Sequence, residues 1–263
     1  MIDLFEHYNR IKGKPNIFIY SVLGRTSSTA LQRILNSSNE ICIFGESHGV
    51  LTKSLDLLAR MEEVWDLYGE EFPMFRNSFI SNKHNVIYPN PLNLEGNIVL
   101  LKMMIANLFN PGFKVERIGF KDIELDDLQT IEGINRFFPN SQVVFLFRNP
   151  TKQFESVRVQ DYWPYCHDID LFMDEYTKLS ERYMDYDDRN PNSLFIENSV
   201  LYDLNRLRKL LEYLNVGKID ESLIDDRVFA SEGKTSLEPE LIEKITGSDA
   251  WKTYKRMQKR IHF

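Results

Sequence analysis

The chain has 263 residues, of which 43% are hydrophobic and 27% are charged, and its formal net charge is −7 at pH 7. This usage is typical of a globular protein with a substantial core. The acidic balance gives no electrostatic support for nucleic-acid binding, so an anion site must be a local positive pocket. The two cysteines, Cys42 and Cys166, match no metal-binding spacing and neither require nor exclude a disulfide.

The sequence contains no signal for a membrane or for secretion. No apolar stretch approaches the roughly 18 residues of a spanning helix, and the N-terminus lacks the basic and apolar regions of a signal peptide. We therefore expect no membrane span, and we expect the protein in the cytoplasm, as a soluble and bacterial form.

The most informative segment is the first predicted strand, Ile17–Leu23, with the residues that follow it. Gly24 ends the strand, Arg25 supplies a fixed positive charge, and a helical pattern covers Ser28–Leu35. Four hydroxyl side chains come after the arginine: Thr26, Ser27, Ser28 and Thr29. Free backbone N–H groups at a helix start attract anions, so the segment predicts a phosphate or sulfate site. The alternative is a plain strand-to-helix turn with Ser/Thr capping.

This loop does not match the Walker A motif of ATP-binding proteins. That motif needs two spaced glycines followed by Lys and Ser/Thr, whereas Gly24 is the only glycine in the loop. The Gly-Lys-Thr at residues 233–235 has valine where the first glycine of that motif belongs. Ordinary ATP–Mg²⁺ chemistry is disfavoured, and an ATP-dependent kinase is kept only as an alternative function.

The second predicted strand, Ile41–Phe44, is followed by Glu46 and His48. We expect Glu46 to lie beside the anion loop, because parallel strands end at one edge of a sheet. It is then positioned to take a proton from an incoming hydroxyl group. His48 is a rival base, since histidine ordinarily titrates near neutral pH. The alternatives are that Glu46 caps the following helix and that His48 is solvated.

The middle of the chain carries less specific patterns. A helix is predicted over Val50–Leu67, and residues 72–96 have little periodicity, so we interpret them as an irregular cap or acceptor-side excursion. A strand over Val115–Phe120 comes directly before Lys121, and a helical pattern follows over Leu125–Phe137.

A second candidate anion site follows the strand predicted over Gln142–Phe147. Arg148 lies at its carboxyl end, and Ser156 lies about two turns into the helix predicted over Lys152–Asp161, facing back. A guanidinium group and a hydroxyl group suit a second phosphate. Taken alone, this pattern would favour an arginine in a surface salt bridge, but two such sites at one sheet edge favour a two-phosphate ligand.

These two segments resemble the 5′-phosphosulfate and 3′-phosphate motifs of sulfotransferases that use 3′-phosphoadenosine 5′-phosphosulfate (PAPS). The first motif of that family reads roughly Arg-(Ser/Thr)-Gly-(Ser/Thr)-(Ser/Thr), which Arg25–Thr29 matches except for Ser27 in place of glycine. The second motif has an arginine followed eight residues later by a serine, as Arg148 and Ser156 are. The resemblance covers the first strand-loop-helix and the middle of the chain well, and the last third loosely.

The resemblance implies a role for each candidate residue. Arg25 and the loop hydroxyls would bind the 5′-phosphate, Arg148 and Ser156 would bind the 3′-phosphate, and PAP (3′,5′-adenosine bisphosphate) would be the product. Glu46 matches the general base of carbohydrate and tyrosyl-protein sulfotransferases, and no metal is implied. Lys121 either reaches the sulfuryl oxygens or the acceptor, or is solvated.

The expected reaction is sulfuryl transfer to an acceptor hydroxyl; a carbohydrate is the first candidate acceptor, with a protein tyrosine or a small molecule as alternatives. A non-catalytic anion- or glycan-binding module is an alternative of another class, for which Ser27 in place of glycine is the only hint. No motif identifies the acceptor.

Later segments give weaker indications. The aromatic cluster Trp163–His167 either stacks on an acceptor or is core, and Phe195–Asn198 resembles a strand end near the nucleotide in the family. Gly247–Lys252 partly matches a C-terminal element that folds over the nucleotide, so Lys252 either contacts the 3′-phosphate or lies on a surface helix. The remaining predicted elements are the helices Leu171–Met184 and Leu201–Leu214 and the strand Ser193–Ile196.

The alternation of apolar strands and helices predicts an α/β fold. We expect three layers, with a parallel sheet between helices, as in the P-loop NTPase-like sulfotransferase fold, and one domain over residues 1–263. Ligands of such sheets bind beyond the carboxyl ends of the strands, where Arg25 and Arg148 are predicted.

Overall fold

A computed structural model describes residues 4–69, 94–123, 128–224 and 236–261. Contacts between Cα atoms divide the chain into two compact units. One contains residues 14–46, 114–128 and 140–263, and is called the sheet unit; the other contains residues 1–13, 47–113 and 129–139, and is called the helical unit. Within the described ranges, no helix combines the length and apolarity that crossing a membrane requires.

The sheet unit is built on five strands, which all run parallel. They are β1 (Ile17–Ser21), β2 (Ile41–Phe44), β3 (Arg117–Ile123), β4 (Gln142–Phe147) and β5 (Ser193–Glu197). Their order across the sheet is β2-β3-β1-β4-β5, so the first strand is central. The predicted α/β class with a parallel sheet is confirmed.

The two faces of this sheet differ in chemistry because side chains alternate along a strand. Ile17 and Ile19 of β1 belong to an aliphatic cluster that continues through Val144 and Leu146 of β4. On the other face Tyr20 contacts Phe120, Phe145 and Tyr183, so that layer is aromatic. Alternating Ile-Phe-Ile-Tyr and Val-Phe-Leu-Phe segments therefore encode two separate packing layers.

Helices of the sheet unit cover both of these faces. The aliphatic cluster includes residues of α2 (Ser28–Asn36) and α8 (Leu204–Tyr213), whereas the aromatic layer meets α7 (Ile169–Asp187) and α10 (Asp249–Gln258). The same unit contains the helices α6 (Pro150–Val157) and α9 (Pro239–Thr246). Short 3₁₀ segments lie at Pro164–Cys166, Asn198–Tyr202 and Glu221–Ile224.

The helical unit contains α1 (Leu4–Lys12), α3 (Val50–Tyr68), α4 (Glu95–Leu108) and, apart from its first residue, α5 (Leu128–Phe137). The buried His7 ring contacts the Ala106 carbonyl at 3.2 Å, which joins α1 to α4. Burial lowers the pKa of His7, so the ring is kept in its neutral form. Leu55 lies against Gly133 and joins α3 to α5.

Several element bounds differ from those the sequence predicts. β1 ends at Ser21 rather than Leu23, because Leu23 has a left-handed backbone (φ 60°) that no strand accommodates. α6 begins at Pro150 and ends at Val157, earlier than predicted, because Asn149 caps its first turn. The helices α1, α4 and α9 were not predicted. The excursion predicted over 72–96 lies outside the described residues up to position 93, and α4 begins at Glu95.

At the amino edge of the sheet, Arg117 joins several chain segments. Its guanidinium group donates to the carbonyls of Pro15 (2.6 Å), Leu214 (2.6 Å) and Asn215 (3.2 Å), and to Oε1 of Gln142 (2.8 Å). Burial lowers the pKa of Arg117 to about 10, against the opposing effect of Glu40. The side chain stays cationic at neutral pH and supplies all four acceptors with donors.

We expect Arg117→Met to lower the free energy of unfolding by about 3 kcal/mol, since it leaves buried acceptors without donors. Urea unfolding measures this change. Arg208→Met is the control, because Arg208 forms an exposed ion pair with Glu221, and such pairs contribute about 1 kcal/mol or less. Equal effects of the two substitutions would contradict the role of Arg117.

Candidate active site

The segment between β1 and α2, residues 22–27, is called the anion loop. Three of its residues have left-handed backbones, namely Leu23 (φ 60°), Arg25 (φ 67°) and Ser27 (φ 72°), and they alternate with residues of negative φ. Each such non-glycine residue costs on the order of 1 kcal/mol. Alternation of this kind turns successive N–H groups towards one concave side, as in anion-binding nests. The loop backbone is therefore suited to an anion.

Ser27 occupies the position where the resembled motif has glycine, and its left-handed φ explains that preference. It is the N-cap residue of α2, yet its side chain makes no capping hydrogen bond. Instead its hydroxyl lies 3.0 Å from the Tyr202 hydroxyl. Plain Ser/Thr capping by Ser27 is therefore not observed.

The candidate residues of the two motifs contact one another. Arg25 Nε donates to Ser156 Oγ (3.1 Å), and Arg148 Nη1 donates to the Arg25 carbonyl (3.0 Å). Two cationic side chains and a hydroxyl are thus gathered at the carboxyl ends of β1 and β4, although they lie more than 120 positions apart in the chain. The two motifs form one cluster rather than two sites.

The electrostatics of Arg148 favour an anion nearby. Burial lowers the pKa of Arg148, and the Arg25 cation acts in the same direction, while Tyr202 opposes them. Within the described residues, its guanidinium donates only the one hydrogen bond to Arg25 and forms no ion pair. A half-buried cation with most of its donors unused is stabilised when an anion binds to it.

The other predicted loop residues differ in exposure. Thr26 and Ser28 are buried, whereas Thr29 is partly exposed. Thr26 Oγ1 has no hydrogen-bond partner in the described part of the chain. A buried hydroxyl without a partner is costly, and such groups are often found at functional sites.

The aromatic cluster over Trp163–His167 packs partly on the anion loop. The Tyr165 hydroxyl accepts a hydrogen bond from the Gly24 N–H (3.1 Å). The Trp163 indole stacks on the Tyr165 ring and occupies the space where a Cβ atom of residue 24 would lie. His167 is exposed and contacts Asp161. Trp163 and Tyr165 thus support the loop, and Gly24 is required by this close approach rather than by a left-handed φ.

Glu46 forms an ion pair with Lys121, whose side chain is only 8% exposed. Lys121 Nζ donates to Oε1 of the carboxylate, and Oε2 has no hydrogen-bond partner among the residues described. We expected Glu46 directly beside the anion loop. In the structure β3, the strand of Lys121, lies between β1 and β2 and so separates the strand before Glu46 from the strand before the loop. The pair fixes the carboxylate and leaves one oxygen available.

Two other candidate side chains are exposed. His48 has a left-handed backbone (φ 48°) in the segment before α3, and that helix has Gly49 as its N-cap. Lys252 lies on α10, is 72% exposed and pairs with Asp249 at 2.7 Å. Its contact with a 3′-phosphate stays a prediction.

Two contributors to the cluster were not predicted from the sequence: Tyr202 contacts the loop through Ser27, and Gln153 on α6 donates to two loop carbonyls. Tyr165 belongs to the predicted aromatic cluster, but its contact with the loop through Gly24 was not predicted. The only sequence signal was a polar residue, Gln153, on the inward side of a short helix between Arg148 and Ser156. In the described ranges no cluster of three His, Cys, Asp or Glu residues is arranged to hold a metal ion.

Known proteins identify the family to which this arrangement belongs. A sequence model described as the sulfotransferase family matches residues 15–216. This is more than half of the chain, which therefore belongs to the sulfotransferase family. Among curated proteins, no sequence matches it significantly.

Solved structures share the fold at low identity. The sulfotransferase domain of the curacin biosynthetic pathway has a TM-score of 0.54 and 16% identity, over 94% of this chain and 98% of that chain. The sulfotransferase domain of the Synechococcus PCC 7002 olefin synthase has a TM-score of 0.52 and 17% identity, over 94% of this chain and 96% of that chain. A sulfotransferase from Alicyclobacillus acidocaldarius has a TM-score of 0.55 and 14% identity, over 95% of this chain and 96% of that chain. These likenesses extend over nearly the whole of each chain.

The family implies PAPS as the sulfuryl donor. The chemistry of the cluster fits such a ligand. PAPS carries two phosphate groups, Arg25 and Arg148 are cationic, and the loop N–H groups are hydrogen-bond donors. The lowered pKa of Arg148, and the N–H groups that it leaves unused within the described residues, agree with an anionic ligand beside this side chain.

We expect Gly24→Ala to lower the free energy of unfolding by about 1–3 kcal/mol, because its methyl group would overlap the Trp163 ring. Trp163→Ala in the same chain should reduce that penalty, so a double-mutant cycle measured by urea unfolding should show coupling. Gly45→Ala is the control, since no heavy atom lies within 4 Å of its Cβ position. Additive effects of the two substitutions would exclude the contact.

Proposed function

We infer that the protein, as one sulfotransferase domain over residues 1–263, transfers a sulfuryl group from PAPS to an acceptor hydroxyl by in-line displacement. The observation that carries this proposal is the cluster in which Arg25 donates to Ser156 and Arg148 donates to the Arg25 carbonyl. Bound PAPS supplies the sulfuryl group and a phosphate leaving group. The protein contributes positioning and electrostatic stabilisation.

The anion loop and its hydroxyls bind the 5′-phosphate in this proposal. Arg25 and the loop N–H groups offset the negative charge that grows on that phosphate during transfer. Arg148 and Ser156 bind the 3′-phosphate, which distinguishes PAPS from ATP. Arg25 and Arg148 carry like charges and lie close together, which is unfavourable unless anions are near. A ligand with two anionic groups can offset both charges, and this supports a bisphosphate ligand.

Glu46 acts as the general base in the same proposal. Its ion pair with Lys121 engages Oε1 and leaves Oε2 for the acceptor hydroxyl, from which it takes the proton during attack. Lys121 holds the carboxylate in position. The exposed His48 is the rival base.

A carbohydrate is the acceptor that we propose first, because the arginine-first loop and the glutamate base resemble carbohydrate sulfotransferases. A small molecule with an apolar part is the second candidate, favoured by a cavity of about 260 Å³ in the sheet unit. This cavity borders the anion loop at Leu23. Its other lining residues are Pro164, Tyr165, Leu171, Glu175, Lys178 and Leu179.

We expect calorimetry without metal to detect tight binding of PAP and little binding of ADP with Mg²⁺. Arg148→Ala should weaken PAP about 100-fold, since it removes charge-assisted hydrogen bonds to the 3′-phosphate. Arg256→Ala is the matched control, because Arg256 pairs with Glu181 on the surface. Preference for ADP–Mg²⁺ would favour a kinase, and binding of neither nucleotide would favour a module without chemistry. Equal PAP affinity of Arg148→Ala and wild type would remove the 3′-phosphate role.

We expect Glu46→Gln to lower turnover about 100-fold or more while the affinity for PAP stays unchanged, because glutamine keeps an oxygen acceptor for Lys121 but cannot take the proton. Rates of PAP formation with a sugar acceptor and with a phenol acceptor measure this and also rank the two acceptor classes. His48→Asn is the matched variant. Full turnover of Glu46→Gln together with loss of turnover in His48→Asn would transfer the base role to His48.

A further inference from the structure

Gln153 is a buried residue of the candidate site to which the sequence analysis assigned no role. It lies on α6 between Arg148 and Ser156, and none of its surface is exposed. Its Nε2 atom donates to the carbonyls of Val22 and Gly24, each at 2.7 Å. One amide group therefore uses both of its hydrogens on the anion loop.

These two hydrogen bonds determine which way the loop N–H groups point. In a planar trans peptide the C=O and N–H bonds point in opposite directions. When Gln153 holds the carbonyls of Val22 and Gly24, the N–H groups of Leu23 and Arg25 are turned away from its amide. Arg148 acts in the same way on the next peptide, because it binds the Arg25 carbonyl and so orients the Thr26 N–H.

A second observation indicates that the loop would not hold this form unaided. Three buried polar atoms in or next to the loop have no hydrogen-bond partner among the residues that the structure describes: Ser21 Oγ at the end of β1, Thr26 Oγ1 in the loop and Oε1 of Gln153 itself. Leu23 and Arg25, which flank Gly24, have left-handed backbones. The strained conformation and the unpaired atoms are all costs, which surrounding contacts must offset. Gln153 supplies two of these contacts through its hydrogen bonds to loop carbonyls, and Arg148 supplies a third.

We propose that Gln153 is a positioning residue that presents the loop N–H groups to the 5′-phosphate and joins the two phosphate motifs into one rigid site. Glutamine suits this position because its amide nitrogen offers two N–H donors without adding a third cation beside Arg25 and Arg148. The proposal rests on the proposed function. We expect its effect mainly at the 5′-phosphate, because the side-chain hydrogen bonds of Gln153 go to the anion loop.

The first test uses Gln153→Met, which keeps the side-chain size and removes both donors. Calorimetry measures the affinities of the variant and of wild type for PAP, 5′-AMP and 3′-AMP. Ligands that bind too weakly for direct titration are measured by their competition with PAP. We expect PAP and 5′-AMP to bind about tenfold more weakly than to wild type, whereas 3′-AMP changes less than about twofold. Gln142→Met is the matched control, because Gln142 also donates to a backbone carbonyl, that of Tyr213, but at the amino edge of the sheet.

The second test uses Gln153→Glu, whose carboxylate repels the two loop carbonyls and whose protonated form regains one donor. A buried carboxyl beside carbonyl oxygens has a raised pKa. The ratio of PAP affinity in this variant to that in wild type should therefore rise as the pH falls from about 8 to about 6. A merely structural role of Gln153 predicts a ratio that does not depend on pH.

The outcomes separate this proposal from the proposed function. A wild-type protein that fails to bind PAP overturns the proposed function and removes the basis of the role of Gln153. Wild-type binding of PAP with an unchanged affinity in Gln153→Met overturns the positioning role alone. An equal loss for PAP, 5′-AMP and 3′-AMP in that variant also overturns it, because general disturbance of the fold would affect all three ligands together.

Discussion

The hydrogen bonds that hold the carbonyls of the anion loop are the constraint on which the candidate site depends. Gln153 binds two of these carbonyls and Arg148 binds a third, all from the segment that follows β4. The loop needs such support because it combines left-handed residues with a buried hydroxyl that has no partner in the described ranges. β1 and β4 are neighbours in the sheet, so the residues after β4 reach the loop after β1. The strand order thus creates the site.

The aromatic layer of the sheet unit continues this support. Tyr165 accepts the Gly24 N–H, and Trp163 fills the space beside Gly24, so one side of the loop lies against rings. On α7, Tyr176 donates to the Arg148 carbonyl at 2.8 Å, and Tyr254 on α10 donates to Glu197 at the end of β5. Buried hydroxyl groups of tyrosines thus link the hydrophobic layer to the polar edge, where an apolar ring alone would leave backbone groups unpaired.

The polar groups of the proposed reaction are divided between neighbouring strands. The cations for the nucleotide lie after β1 and β4, whereas the Glu46–Lys121 pair belongs to β2 and β3 on the other side of β1. In our proposal the donor therefore lies on one side of the central strand and the base on the other. A buried lysine beside a carboxylate is stabilised by that partner and orients it, which a solvated lysine would not do. Lys121 is then a partner of the base.

The sequence by itself determined the local elements and their chemistry. Apolar runs predicted the strands, and Arg25 and Arg148 after two of these strands predicted an anion site at one sheet edge. Only the tertiary structure decided how Gln153, Trp163 and Tyr165 contact the loop and how Lys121 pairs with Glu46. These contacts join residues more than 70 positions apart, so they depend on the strand order and on helix packing rather than on local pattern. The left-handed backbones at Leu23 and Ser27 were likewise not predictable from the sequence, since neither residue type favours this conformation.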